Sequence, residues 1–157
     1  MGTEIERRFL VNDDRWRDGS SFIQLKQGFL STDKERIVRV RLAGEAATLT
    51  VKGLTRDHQK SEYEYAIPGQ DALEMLASLC LRPLIEKRRF RVKHAGQIWD
   101  VDEFEGENHG LVIAEIELKH RDQPFPRPPW LGMEVSDNPR YFNSNLAMLP
   151  YSRWKEE

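Results

Sequence analysis

Charged side chains in this chain recur two residues apart, and they are sorted by sign. Glu4 and Glu6 stand in "EIERRF", Arg39 and Arg41 in "RIVRVRL", and Glu62 and Glu64 in "SEYEYA". Asp100 and Asp102 follow in "WDVDEF", and Glu115 and Glu117 in "LVIAEIELK". Lys87, Arg89 and Arg91 make a basic row in "LIEKRRFRV", and Lys52 aligns with Thr48 and Thr50 in "TLTVKG". Successive side chains on a strand point to opposite faces, so each set shares one face of its strand. Apolar residues hold the other face: Val38, Val40 and Leu42 opposite the arginines, Ala114, Ile116 and Leu118 opposite the carboxylates. Arg8 shares a side with Glu4 and Glu6, whereas Arg7 lies on the other.

Like charges on neighbouring sheet positions repel. At the effective dielectric near a protein surface, two unit charges ~4 Å apart interact by roughly 4 kcal/mol. On one strand alone, such a face is ordinarily solvated. Repeated on strand after strand, it calls for a compensating partner. Paired carboxylates bind hard divalent cations such as magnesium or manganese through oxygen. Rows of Arg and Lys bind phosphate oxygens. A metal–polyphosphate complex satisfies both, and places the charged faces inside and the apolar faces outside against helices.

The elements that must hold these groups are mostly strands. Period two predicts strands at 3–11, 22–30, 36–43, 47–53, 60–67, 84–94, 97–105 and 111–120. Turn residues in "LAGEA", "KHAGQ" and "GENHG" predict hairpins and antiparallel pairing. A helix is expected over 69–81, with Leu73, Leu76, Ala77 and Cys80 on its apolar face. A second is expected over 136–149, capped by Ser136 with Pro139 in its first turn. Residues 13–18 suit one helical turn, and the proline-rich "RDQPFPRPPWLG" suits none. The expected fold is mainly β with flanking helices (α+β), its eight antiparallel strands closed into a barrel that removes exposed edges and has room for a small ligand.

Composition narrows the function. With 24 basic and 26 acidic side chains the net charge is -2, without the basic excess of a general nucleic-acid binder. At 157 residues, with neither repeats nor a linker, one domain over 1–157 is expected. No stretch approaches the ~20 apolar residues of a membrane span, and the amino terminus does not read as a signal peptide. Cys80 is the single cysteine and suits a reducing cytoplasm, as a buried small residue on its helix. The spacings of His58, His94, His109 and His120 match no zinc site, and surface positions are expected; Trp99 and Trp130 are expected in the packing.

The ordered set "EIERRFLV", "QGFL", "VRVRL", "LTVKG", "EYEY", "IEKRRF", "WDVDEFEGENHGLVIAEIEL" and "WLGMEVSDNPRYFNSNL" resembles the CYTH superfamily, the triphosphate tunnel metalloenzymes, along nearly the whole chain. The resemblance implies an eight-stranded antiparallel barrel open as a tunnel, which binds a triphosphate and a divalent metal. It implies metal ligation by Glu4, Glu6, Glu115 and Glu117, and phosphate binding by Arg39, Arg41, Lys52, Lys87 and Arg89. Glu62, Glu64, Asp100 and Asp102 match further tunnel acids. Arg8 replaces the lysine usual in the amino-terminal signature. It keeps the charge but not the compact, deprotonatable amine, and phosphate contact is the role expected for it.

The activity implied is metal-dependent hydrolysis of inorganic triphosphate, with Glu115 orienting the attacking water and Lys52 and Arg8 in the reacting centre. The alternatives are thiamine triphosphatase, a class IV type of adenylate cyclase, and a non-catalytic polyphosphate or nucleotide binder. The expected partner is a triphosphate-containing small molecule, with neither a membrane nor a sequence-specific nucleic acid. Oligomeric state has no signal in the sequence.

Overall fold

Side-chain alternation resolves into nine strands: β1 (Gly2–Val11), β2 (Phe22–Ser31), β3 (Ile37–Ala43), β4 (Ala46–Lys52), β5 (Gln59–Ala66), β6 (Ile85–His94), β7 (Gln97–Phe104), β8 (Val112–Glu117) and β9 (Leu131–Glu134). The structure is a computed structural model describing residues 2–17, 21–54 and 59–154; the side chains of 2–4, 59 and 60 are outside the described set. The hydrogen-bonded order is β5-β4-β3-β2-β6-β7-β8-β1-β9, all antiparallel, with a further pairing between β5 and β1. Strand β1 is shared between neighbours. Gly2–Ile5 pairs with β5, Glu6–Leu10 with β8, and Phe9 and Val11 also with β9.

The eight expected strands fall within a few residues of β1–β8, and the count of eight is corrected to nine. Strand β9 is four residues long and begins at Leu131, inside the end of the proline-rich segment expected to hold no regular element. A strand that short shows too little alternation to register as one. Tight turns set two of the hairpins. Gly44 has φ +59°, and Ala95 and Gly96 have φ 49° and 82°, the left-handed backbone that a two-residue hairpin loop demands.

The helix expected over 69–81 is α1 (Gly69–Ser78), which ends earlier and lays Ala72 and Leu76 rather than Leu73 and Ala77 against the sheet. Cys80 is buried just beyond it. Gly28 makes that approach possible, since a Cβ there would lie 2.7 Å from both Cys80 Cβ and a Leu84 methyl.

The carboxyl-terminal helix is corrected more heavily. It is a 3-10 turn at Pro139–Tyr141 and then a single turn, α2 (Asn143–Leu146), separated by Phe142 in extended backbone. The cap is Asn138, whose side chain accepts the Arg140 N–H. Ser136 instead accepts the backbone N–H of Arg8 (2.9 Å) and donates to Glu134 (2.6 Å).

Two apolar clusters lie on the outer face. Phe9, Phe90, Trp99 and Ile116 pack with Trp16 of the 3-10 turn at Arg15–Arg17 and Trp130 of the proline-rich segment, with Phe9–Trp99 and Trp99–Trp130 edge-to-face at 5.7 and 5.9 Å. Val40, Ala47, Ala72, Leu76 and Cys80 pack between the sheet and α1. The third cluster, Phe29, Ile85, Phe104, Leu111, Ile113, Leu146 and Ala147, belongs largely to the charged face. Phe29 pairs with Arg39, Phe104 with Lys87 and Ile113 with Asp102, and directly opposed residues share a face. The inner rows of β3, β6, β7 and β8 thus change from apolar to charged along the strand, and the carboxyl-terminal segment covers the apolar end.

Candidate active site: a charged interior above an apolar floor

Strand register brings most of the candidate residues to one place. Arg8, Arg39, Arg41, Lys52, Lys87 and Arg89 line a cavity of about 200 Å³ together with Glu6, Glu62, Glu64, Glu115 and Asn143. Six bases against four carboxylates leave its wall net positive. An adjoining recess of about 400 Å³ shares Glu6, Arg89 and Glu115 and adds Asp100 and Glu117. The phosphate-type and metal-type candidates therefore meet where the two spaces share Glu6, Arg89 and Glu115. Glu4 extends the inner row of β1, but its side chain lies outside the described residues.

At the base of the cavity sits a buried ion cluster. Lys87 is 0% exposed and Asp102 is 1% exposed. Asp102 accepts from Lys87 Nζ at 2.7 Å and from Arg89 Nε and Nη2 at 2.7 and 2.8 Å. Burial pulls the Lys87 ammonium down to about 7, against the attraction of Asp102. Burial would raise the Asp102 carboxyl, yet Lys87 and Arg89 outweigh it and hold the group below the usual carboxylate range. Arg41 is drawn down to about 9 by burial and by Arg39 and Arg89. Three cations gathered around one acid make a site that an incoming polyanion would relieve.

The carboxylate cluster contains Glu6 opposite Glu117 and Glu115 opposite both Arg8 and Asp100. Arg8 is 8% exposed, hydrogen-bonds Glu6, lies 3.4 Å from Glu115 and stacks over the Phe142 ring at 5.1 Å. Arg8 thus lies between Glu6 and Glu115 while it also lines the basic cavity. Burial, with Glu6 beside it, still raises the Glu115 carboxyl to about 7. Among the described residues no three carboxylate, histidine or cysteine groups are already converged as a metal site. Their chemistry nevertheless suits a hard divalent cation. Glu6, Glu115 and Glu117 offer only oxygen donors, and their mutual repulsion is what a cation relieves.

Arg7 faces away from the cavity and makes a two-pronged contact with Glu134 at 2.8 and 2.6 Å. Arg7→Ala is therefore expected to lower stability by on the order of 1 kcal/mol, discounted for partial exposure, and to leave substrate affinity unchanged. Arg39→Ala is expected to weaken phosphate binding by about tenfold or more, since hydrogen bonds to charged groups are worth about 1.5–3 kcal/mol. Thermal midpoints and KM values on the two variants check the assignment of inside and outside.

Alternation in the sequence did not mark Gln27 or Asn143, although both sit among the bases. Gln27 accepts from Arg41 Nε at 2.8 Å, and Asn143 accepts from Lys87 Nζ at 3.0 Å and Gln27 Nε2 at 3.1 Å. Gln27 lies on the inner row of β2, a signal that was present but uncharged. Asn143 comes from α2, and no strand pattern could announce it. His94 is half-buried, His109 and His120 are exposed, and His58 lies outside the described residues.

An antiparallel sheet whose inner face joins a basic cavity to a carboxylate cluster defines a class of charge-lined β proteins. Within that class, the CYTH domain model matches residues 2–145, and the chain belongs to the CYTH domain family. An inorganic triphosphatase of Acetivibrio thermocellus is 46% identical over 156 residues, covering 99% of this chain and 100% of that protein. An inorganic triphosphatase of Nitrosomonas europaea is 37% identical over 154 residues, covering 93% and 97%. The crystal structure of the inorganic triphosphatase NE1496 superposes with a TM-score of 0.68 at 34% identity, covering 92% of this chain and 97% of that one.

Proposed function

We propose that this chain is a divalent-metal-dependent inorganic triphosphatase that hydrolyses tripolyphosphate, with magnesium or manganese as the metal. The observation that carries the reading is the cavity where six bases meet the Glu6–Glu115 carboxylates. The activity named for the relatives at 46% and 37% identity supports it. The β1–β5 pairing supports a further element of the reading, closure of β1–β8 into a barrel with β9 appended to β1. The apolar floor supports a pocket entered from the charged end. Among the described residues no helix is long and apolar enough to cross a membrane.

Arg39, Arg41, Lys52, Lys87 and Arg89 bind and align the phosphate oxygens, which leaves the phosphoryl group fixed for in-line attack. Glu4, Glu6, Glu115 and Glu117 would hold the cation, which would supply positive charge to offset that of the phosphate oxygens. Glu115 Oε accepts the proton of the attacking water. Lys52 and Arg8 donate to the transferred group as its charge spreads over the equatorial oxygens.

Side-by-side assays on tripolyphosphate, ATP and thiamine triphosphate, with each metal and with chelator, test the reading. Metal-dependent release of orthophosphate and pyrophosphate, fastest from tripolyphosphate, is the expected result. Cyclic product from ATP would favour the cyclase, and tripolyphosphate binding without turnover under any metal would leave a binder.

The acid–base behaviour of Glu115 gives a separate test. Its folded value lies above its ordinary value of 4.5, so the metal-free folded chain binds more protons than the unfolded chain between about 4.5 and 7. Stability from this group is therefore greatest below that window and falls as pH rises through it. The metal-free protein is expected to lose thermal midpoint from pH 5 to 7 relative to Glu115→Gln. Parallel melts of the two proteins in chelator check it, and parallel curves would remove the assignment.

A further inference from the structure

The orientation of one amide in the cavity is fixed by a chain of obligatory donors. Arg41 Nε can only donate, so the Gln27 oxygen accepts it at 2.8 Å. That turns Gln27 Nε2 outward as a donor, and it meets Asn143 Oδ1 at 3.1 Å. Lys87 Nζ, a donor as the ammonium paired with Asp102, meets the same oxygen at 3.0 Å. Both lone-pair directions of Asn143 Oδ1 are thereby used, and a flipped amide would set its NH2 against two N–H groups. Asn143 Nδ2 consequently remains a two-proton donor on a residue that lines a cavity whose other lining side chains are all charged. Lys87 gives one N–H to Asp102 and one to Asn143, which leaves its third for the cavity.

We propose that Asn143 is a substrate-binding residue: its Nδ2 donates to a phosphate oxygen of the bound triphosphate while its Oδ1 aims Lys87 at the same group. The inference rests on the triphosphatase reading for the identity of the ligand. It assigns the carboxyl-terminal segment a part in recognition as well as in covering the apolar floor. A neutral donor suits that position. It adds a hydrogen bond to phosphate without a further desolvated cation beside Lys87, Arg41 and Arg89.

The test uses the full chain and tripolyphosphate, with calorimetric affinity measured in chelator and turnover measured with magnesium. Asn143→Ala removes donor and acceptor together. Asn143→Asp keeps the acceptors for Lys87 and Gln27, so the fold is protected, while it removes the donors. Affinity is expected to fall by about tenfold in the first and about 100-fold in the second, the loss appearing chiefly in KM, with the Asn143→Asp midpoint at or above that of the parent. The side-chain amide protons of Asn143, assigned by their loss in Asn143→Ala, are expected to shift when the parent is saturated with tripolyphosphate. Affinities within about twofold of the parent in both variants, or amide protons that do not move, overturn the proposal. A parent that binds tripolyphosphate without hydrolysing it defeats the triphosphatase reading alone, and the affinities still decide Asn143. A parent that does not bind tripolyphosphate overturns both.

Discussion

Asp102→Asn is expected to lower the thermal midpoint by about 6–20 °C and to abolish triphosphate turnover. Asp102 is the acceptor shared by Lys87 and by both prongs of Arg89, and Asp102 and Lys87 are themselves closed to water. Asparagine has one acceptor oxygen, and its NH2 would face donors that cannot accept. Breaking a buried pair from one side leaves uncompensated charge and typically costs about 3–5 kcal/mol. For a chain of this length each kcal/mol corresponds to roughly 2–4 °C. Asp100→Asn is the control, because Asp100 is partly exposed and its contacts with Arg89 and Arg91 are 3.9 and 4.0 Å long. Thermal melts with and without tripolyphosphate check both. An Asp102→Asn midpoint within a degree or two of the parent would mean that the cluster is not held by this acid.

Glu6→Gln is expected to reduce metal-dependent turnover by about 100-fold or more and to leave the metal-free fold at or above parental stability. The change preserves size, removes one candidate metal oxygen and relieves the repulsion that Glu6 exerts on Glu115. Loss of a group that merely orients a metal ligand costs about 10–100-fold in affinity or activity, so loss of a ligand should reach at least the upper end. Arg8 keeps Glu115 as a partner at 3.4 Å, so the substitution strands no cation. Turnover as a function of metal concentration, with melts in chelator, measures both effects. Parental turnover at parental metal concentration would move the cation away from Glu6.

The alternation of residue types by itself determined eight of the nine strands, their inner and outer faces and the charged residues of the cavity wall. Period two is a local property, so Arg39 and Arg41 on β3, or Glu115 and Glu117 on β8, announce their shared face without knowledge of any neighbour. Sorting by sign then carried the inference of a polyanion and a cation, because stacked like charges need a partner wherever the strands end up. Arg7 and Arg8 are adjacent in sequence, and their parity alone sends one to Glu134 outside and the other to Glu6 inside.

Only the tertiary structure decided which opposite charges meet. The Lys87–Asp102–Arg89 cluster depends on the register of β6 against β7, and the change from apolar floor to charged wall becomes visible only when Phe104 is seen beside Lys87 and Ile113 beside Asp102. It also replaced the expected long terminal helix with two short turns. Pro139 and the Asn138 cap set the first, and extended backbone at Phe142 lets its ring stack on Arg8 while Asn143 reaches Lys87. Those contacts join residues more than fifty positions apart, and no local pattern encodes them. They exist because the terminal segment buries Leu146 and Ala147 against the apolar end of the sheet's inner face, which brings Asn143 to the charged boundary.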